Sequence, residues 1–217
     1  MSKRGKKRIF LTFLILLFVN FMIIFFNIKD GLGEGDVMYR FRERQTVTFL
    51  SALMLGLTSL TALVIYLLRR RISSFGERIG FWLFSSIGFF YLCMDEYFMA
   101  HEGMDEWVGS WFGRDIKEMN LDGVVIAFFG LVALAVCFYF RRTIFQNKVM
   151  LPFLTVGGIC LAGTVICHLG ERIHIFVEVA EESFKIVGVS SFFSAYILAF
   201  ISSLDKLSGI CPKPADA

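Results

Sequence analysis

The amino-acid sequence predicts an all-α, polytopic membrane protein, a bundle of six transmembrane helices. Of its 217 residues, 56% are hydrophobic, 26 are Phe and only three are Pro, and the mean hydropathy is +0.67. A soluble domain of this size carries more charge and fewer aromatic residues. The alternation of polar and apolar residues that marks a transmembrane β-barrel is absent from the sequence, so the spans are expected to be helices.

Six apolar stretches are long enough to span, since a transmembrane helix needs about 20 apolar residues. They cover residues 9–28, 46–68, 79–98, 121–140, 150–168 and 184–204. The first follows a basic run, as a signal peptide does, but its apolar core is too long and no small-residue cleavage pattern follows it. We therefore expect a retained helix. No repeat or long linker interrupts the chain, which predicts a single transmembrane domain over residues 1–217.

The distribution of charge predicts that both termini face the cytoplasm. With the N-terminus inside, the inner side holds most of the 22 basic residues, and of the 19 acidic ones only Glu77, Asp205 and Asp216. Positive charge collects on the cytoplasmic side of membrane proteins, so the topology is N-in and C-in.

All three histidines lie in two short acidic clusters. An ionisable group inside a membrane costs roughly 2.5–3.5 kcal/mol, so a concentration of such groups predicts a functional site. The first cluster consists of Asp95, Glu96, His101 and Glu102, and the second of His168, Glu171, His174, Glu178, Glu181 and Glu182.

In the first cluster, helical geometry predicts that the side chains point in two different directions. Asp95 lies roughly 24 Å along the third span, in the outer leaflet. Asp95, His101 and Glu102 can converge on one neighbour, whereas Glu96 points elsewhere and can contact a different helix.

The second cluster allows two alternatives. If the fifth helix continues past His168, its acids and histidines share one face over an arc of about 80–140°. Alternatively the chain turns near Glu178, and Glu181 and Glu182 open the last span, where acids favour a helix N-terminus. Both versions place His168, Glu171 and His174 on the final turns of the fifth span.

Glu171 and His174 form an E-x-x-H step, the pair that carboxylate-bridged di-metal bundles use. Its companion is missing, because the residue three before His101 is Phe98. With the other nitrogen and oxygen ligands it predicts a divalent metal, zinc or iron or manganese, which would also neutralise the carboxylates. The predicted metal ligands are His101, Glu102, His168, Glu171, His174 and Glu182. Asp95 and Glu178 are the predicted catalytic residues, either of which would serve as general base or support a metal ligand.

Other functions remain open. The clusters can be a proton or cation pathway, as in a transporter, or structural ion pairs with Arg172, Arg114 or Lys185. Against a pathway, the membrane interior offers few polar relays, and Gly157-Gly158 more often allows close packing than a loosened helix. Cys93 and Cys167, just before the clusters, leave open a disulfide or a thiolate ligand.

A third possibility is a non-catalytic envelope assembly or sensor subunit that binds a protein partner through residues 103–120. Trp107 and Trp111 in this loop are typical of a helix lying at the headgroups. Nothing in the composition indicates a nucleic-acid partner, and the oligomeric state stays open.

The run from Met94 to Glu102, together with Glu171 and the run from Glu181 to Gly188, resembles a group of small bacterial multi-pass membrane proteins. Those carry a DE-x4-HE motif at a span end and an EE-S-x4-G motif opening the last span. The resemblance covers most of the chain. It implies a bacterial inner-membrane protein with its site facing the periplasm, and it names no reaction.

A weaker similarity is to the alkaline ceramidases and progestin/adipoQ receptors, which hold zinc with three histidines plus Ser and Asp in a seven-helix bundle. This chain departs from them with six spans, more glutamate, and a spacing of six between His168 and His174. By analogy, the leading hypothesis is a metal-dependent hydrolase that acts on a membrane lipid.

Overall fold

The computed structural model describes residues 3–33, 35, 46–70, 78–98, 121–170 and 175–207, with side chains except at 3, 4, 121–127, 168–170, 175, 176 and 178. All regular structure within these ranges is helical, which confirms the all-α prediction. The helices are α1 (Lys3–Gly33), α2 (Thr46–Arg70), α3 (Gly80–Phe98), α4 (Leu121–Tyr139), α5 (Arg141–Gln146), α6 (Leu151–Gly170) and α7 (Ile175–Leu207).

Three of these helices contain segments long and apolar enough to cross a membrane: Gly5–Gly33, Thr46–Arg70 and Val179–Leu207. Two shorter apolar segments, Phe128–Tyr139 and Leu151–Cys167, lie in α4 and α6. Helix α3 has 19 residues and carries Asp95 and Glu96 in its last turn. The described ranges are thus helical and hold three candidate spans, and the count of six remains a prediction.

Contacts along the helices show that long helices that follow one another in the chain run in opposite directions. Helices α6 and α7 pack closely on each other, as do α2 and α3, and α2 and α7. Arg8 pairs with Asp205 and Asn20 with Ser190, so α1 and α7 are antiparallel. The rings of Tyr91 on α3 and Phe129 on α4 are 5.0 Å apart, at the opposite end of these helices from the Phe81–Phe140 contact.

Alternation gives the bundle two chemically different ends. The acidic end holds Asp95 and Glu96 at the end of α3, and Glu181 and Glu182 near the start of α7. At the basic end lie the start of α1, the end of α2, the start of α3, α5 and the end of α7. Its basic side chains within the described residues are Lys6, Lys7, Arg8, Arg69, Arg70, Arg78, Arg141, Arg142, Lys148 and Lys206.

The largest hydrophobic core lies toward the basic end. Trp82, Ile65, Phe153 and Met150 are fully buried there, and the ring of Tyr196 meets Trp82 edge-on at 5.7 Å. A smaller core at the acidic end is built around Val47 and Ile186. Apolar packing is therefore thinner where the acids lie.

Glycine allows α6 and α7 to approach closely. A Cβ added at Gly157 would lie 2.7 Å from the ring of Phe192, whereas one at Gly158 meets nothing within 4 Å. Gly157 thus provides close packing, as predicted, because a side chain there would collide with the Phe192 ring.

The prediction of one continuous helix from His168 to Glu182 is wrong. Helix α6 ends at Gly170, α7 begins at Ile175, and the two are antiparallel. The alternative of a turn was right in kind, but the turn comes before Glu178. Gly170 is the sequence signal for it, since glycine commonly ends a helix.

Candidate functional site: a buried lysine between two carboxylates

Three helices bring four polar side chains together at the acidic end. Lys185 Nζ lies 2.6 Å from Glu182 Oε1 and 3.0 Å from Glu96 Oε1. Ser51 Oγ on α2 donates a hydrogen bond of 2.5 Å to the same Glu96 oxygen. This group, Ser51, Glu96, Glu182 and Lys185, is called the lysine cluster below.

Helical spacing explains how the lysine cluster forms. Glu182 and Lys185 are three residues apart on α7, so their side chains lie on one face. Glu96 occupies the last turn of α3, and Ser51 the second turn of α2. The close packing of α2 against α3 and α7 then joins the two carboxylates through one ammonium group.

The lysine cluster is mostly removed from solvent. The exposed fraction of the side chain is 24% for Lys185, 17% for Glu96 and 14% for Glu182. Burial makes an ion pair's desolvation expensive, so such a pair holds only when its geometry and its other hydrogen bonds are good. With both acids ionised, the cluster carries one excess negative charge.

Two buried acceptors near this cluster lack a hydrogen-bond partner within the described part of the chain: Glu182 Oε2 and Thr48 Oγ1. Thr48 lies three residues before Ser51 on α2. A buried polar atom without a partner is rare in native proteins, and it often marks a place for a water, an ion or a ligand.

Only part of the predicted site falls on described residues. Asp95 is half-buried in the last turn of α3, and Glu182 is in the lysine cluster. His168 and Glu178 are placed on α6 and α7 by their backbones, without their side chains. Outside the described residues lie His101, Glu102, Glu171, His174 and the loop 103–120.

The two acidic clusters of the sequence meet through Lys185. Glu96 belongs to the first and Glu182 to the second, and both bind the same Nζ atom. As expected from the helical wheel, Glu96 points to other helices, here α2 and α7. The predicted approach of His101 and Glu102 to His168, Glu171 or His174 falls on residues beyond the described ranges and stays a prediction.

A family model described as a domain of unknown function, DUF8692, matches residues 9–200. The chain belongs to the DUF8692 family. No curated protein and no solved structure matches it. Because the match spans α2, α3 and most of α7, the lysine cluster lies inside the DUF8692 domain.

The sequence of this DUF8692 chain indicated Lys185 only as one possible ion-pair partner of the acids, and it did not single out Ser51. The available signal was position, since Lys185 is the single basic residue in the predicted span 184–204. A lysine at that depth needs a partner, and Glu182 at a distance of three residues was the nearest acid.

The described residues contain no group of three or more His, Cys, Asp or Glu side chains that could hold a metal. The metal hypothesis is therefore neither supported nor opposed by that part of the DUF8692 structure. Cys93 and Cys167 are free thiols, so the alternative of a disulfide between them is not realised.

Proposed function

We propose that this DUF8692 protein is a six-span inner-membrane protein, acidic end outward, whose acidic end is the active site of a metal-dependent enzyme acting on a membrane substrate. The convergence of Glu96 and Glu182 on Lys185 carries the proposal. This contact joins the two acidic clusters of the sequence, residues 95–102 and 168–182, which contain every histidine of the chain. One shared polar pocket is less costly than two separate ones in a membrane.

The lysine cluster would act as the structural support of this site. Lys185 holds α3 to α7 and compensates two carboxylates. The unpartnered Glu182 Oε2 is free to accept a bond from a cation or a donor group. That atom fits a divalent ion, because carboxylate oxygen is a ligand common to zinc, iron and manganese.

The remaining roles follow the sequence motifs. His101, His168 and His174 would hold the ion together with Glu171 or Glu102, and Asp95 or Glu178 would accept a proton from the attacking water. A bound ion would supply a Lewis acid that polarises the carbonyl of a lipid ester or amide. The resemblance to lipid-processing zinc proteins supports this substrate class by analogy.

Metal content of the purified protein tests this proposal, with two acids of α7 as a matched pair. Glu182→Gln removes a proposed ligand, and Asp205→Asn removes an acid at the other end of the same helix. We expect co-purified zinc, iron or manganese to fall about tenfold or more in Glu182→Gln and His174→Ala, and to stay unchanged in Asp205→Asn. Folded wild-type protein that contains no metal, and takes up none on titration, would refute the proposal of a metal-dependent enzyme.

A cation or proton pathway is the second candidate, and one observation favours it. Polar side chains continue below the lysine cluster: Asn20 Nδ2 donates to Ser190 Oγ at 2.8 Å, and Ser59 Oγ donates to the Ser86 carbonyl at 2.8 Å. All four residues are buried. Reconstituted liposomes would decide, because a pathway predicts proton or cation flux that is lost in Glu96→Gln and kept in Asp205→Asn.

A further inference from the structure

A wide-open surface hollow of about 640 Å³, called the cavity below, lies at the basic end, away from the lysine cluster. Its lining residues are Arg141, Arg142, Phe145, Gln146 and Lys148. Three of these side chains are cationic and none is acidic. Such a lining attracts an anion, and a phosphate group is the anion most suited to several Arg and Lys donors.

The cavity is built on a fixed platform. Thr143 and Ile144 of α5 are buried beneath it. Asn147 Nδ2 donates to the Thr143 carbonyl at 2.7 Å, and Asn147 Oδ1 accepts a bond of 3.1 Å from the buried Arg69. Arg141 and Arg142 therefore project from a short helix whose inner face is anchored, and Lys148 from the turn that follows it, so the backbone that carries them is already ordered before a ligand binds.

An apolar strip leads from the cavity along α4. Leu131, Leu134 and Phe138 are 65%, 67% and 70% exposed, and their spacing of three and four residues puts them on one face. The guanidinium of Arg141 lies 4.5 Å above the Phe138 ring. Positive charge and apolar surface thus meet at this point, as the headgroup and chain of a lipid do.

We propose that this cavity binds the phosphate of an anionic phospholipid, with Arg142 and Lys148 at the headgroup and an acyl chain along Leu131, Leu134 and Phe138. Diffuse attraction of anionic lipid by positive charge would require neither the anchored helix α5 nor the apolar strip on α4. The site is independent of the enzyme proposed above, since it shares no residue with the acidic end.

Lipid binding by the full chain in neutral detergent tests this site. Phosphatidylglycerol is titrated against phosphatidylcholine of the same chain length, with bound lipid counted by native mass spectrometry. We expect phosphatidylglycerol to bind the wild type more tightly. The double variant Arg142→Gln/Lys148→Gln should lose about fivefold in affinity for each charge removed.

The matched control is Lys7→Gln/Arg70→Gln, which removes two exposed basic side chains from the same end but not from the cavity. It should bind phosphatidylglycerol within about twofold of the wild type. Equal losses in both double variants would show only diffuse attraction and overturn the site, as would equal binding of the two lipids.

Competition separates a lipid from free phosphate as the source of the anion. Inorganic phosphate at millimolar concentration should not displace phosphatidylglycerol. Leu134→Ser, on the exposed apolar strip, should weaken the lipid's binding several-fold. Displacement by inorganic phosphate together with an unchanged Leu134→Ser affinity would assign the cavity to a soluble anion and refute the lipid.

Discussion

Two cations, Arg69 on α2 at the basic end of the bundle and Lys185 on α7 at its acidic end, are held in different ways. At the basic end, Arg69 is fully buried, donates to Ser203 Oγ from Nε at 3.0 Å, and lies 4.5 Å from the centre of the Trp82 ring. At the acidic end, Lys185 is bound by Glu96 and Glu182. The contacts of Arg69 include the neutral Ser203 and the Trp82 ring in the hydrophobic core, whereas those of Lys185 are two carboxylates where apolar packing is thin.

This contrast separates a structural polar group from a candidate functional one. The planar guanidinium of Arg69 matches several fixed acceptors and stacks on an aromatic face, which locks the ends of helices together. The lysine cluster instead concentrates charge and leaves Glu182 Oε2 without a partner among the described residues. A group that is held mainly by charged partners and has a spare acceptor is suited to exchange partners with a ligand or a proton.

Replacing Lys185 should have the largest effect on stability, because it leaves two carboxylates buried without a counter-ion. We expect Lys185→Met to lower the free energy of unfolding by about 3–5 kcal/mol. Denaturation in mixed micelles would measure the change. The triple variant Lys185→Met/Glu96→Gln/Glu182→Gln should recover most of it, since the uncompensated charge is then gone. A Lys185→Met loss below about 1 kcal/mol would mean that the cluster is solvated.

Arg69→Lys tests whether geometry or charge holds the basic end. The charge stays, but a lysine cannot reproduce the planar donors that bind Ser203 and Asn147. We expect a loss of about 1–3 kcal/mol. The control is Arg70→Lys, at the exposed neighbouring position, which should change stability by less than about 0.5 kcal/mol. Equal stability of the two variants would show that the fork geometry of Arg69 is unimportant.

The sequence predicted the positions of the helices better than it predicted which helices and side chains contact each other. Helices occupy Thr46–Arg70 and Gly80–Phe98, where the second and third spans were predicted at 46–68 and 79–98. Of these two helices, the first is a candidate membrane span by length and hydropathy. The last span was predicted to start at residue 184, where the apolar stretch starts, whereas its helix begins at Ile175. In the structure, Glu182 is buried against Lys185 and belongs to the helix.

The candidate site was predicted only in part. The direction of Glu96 follows from helical periodicity, a local property. That it meets Ser51 and Lys185 depends on how α2, α3 and α7 pack, and periodicity along one helix holds no information on that. The proposed histidine ligands lie outside the described side chains, so their meeting remains a prediction.

The ion pair of Arg8 and Asp205 offers the smallest predicted effect and the sharpest contrast with Lys185. The Arg8 side chain is 36% exposed, whereas that of Lys185 is 24% exposed and those of its two carboxylate partners 17% and 14%. Water and salt therefore screen the Arg8–Asp205 attraction more strongly. Arg8→Gln should lower the free energy of unfolding by only about 0.2–1 kcal/mol, and the difference should shrink in about 1 M salt. The Lys185→Met effect should persist at the same salt concentration, since buried charges are poorly screened. If both effects decreased together with added salt, the lysine cluster would be open to solvent, and the distinction between the two ends would fail.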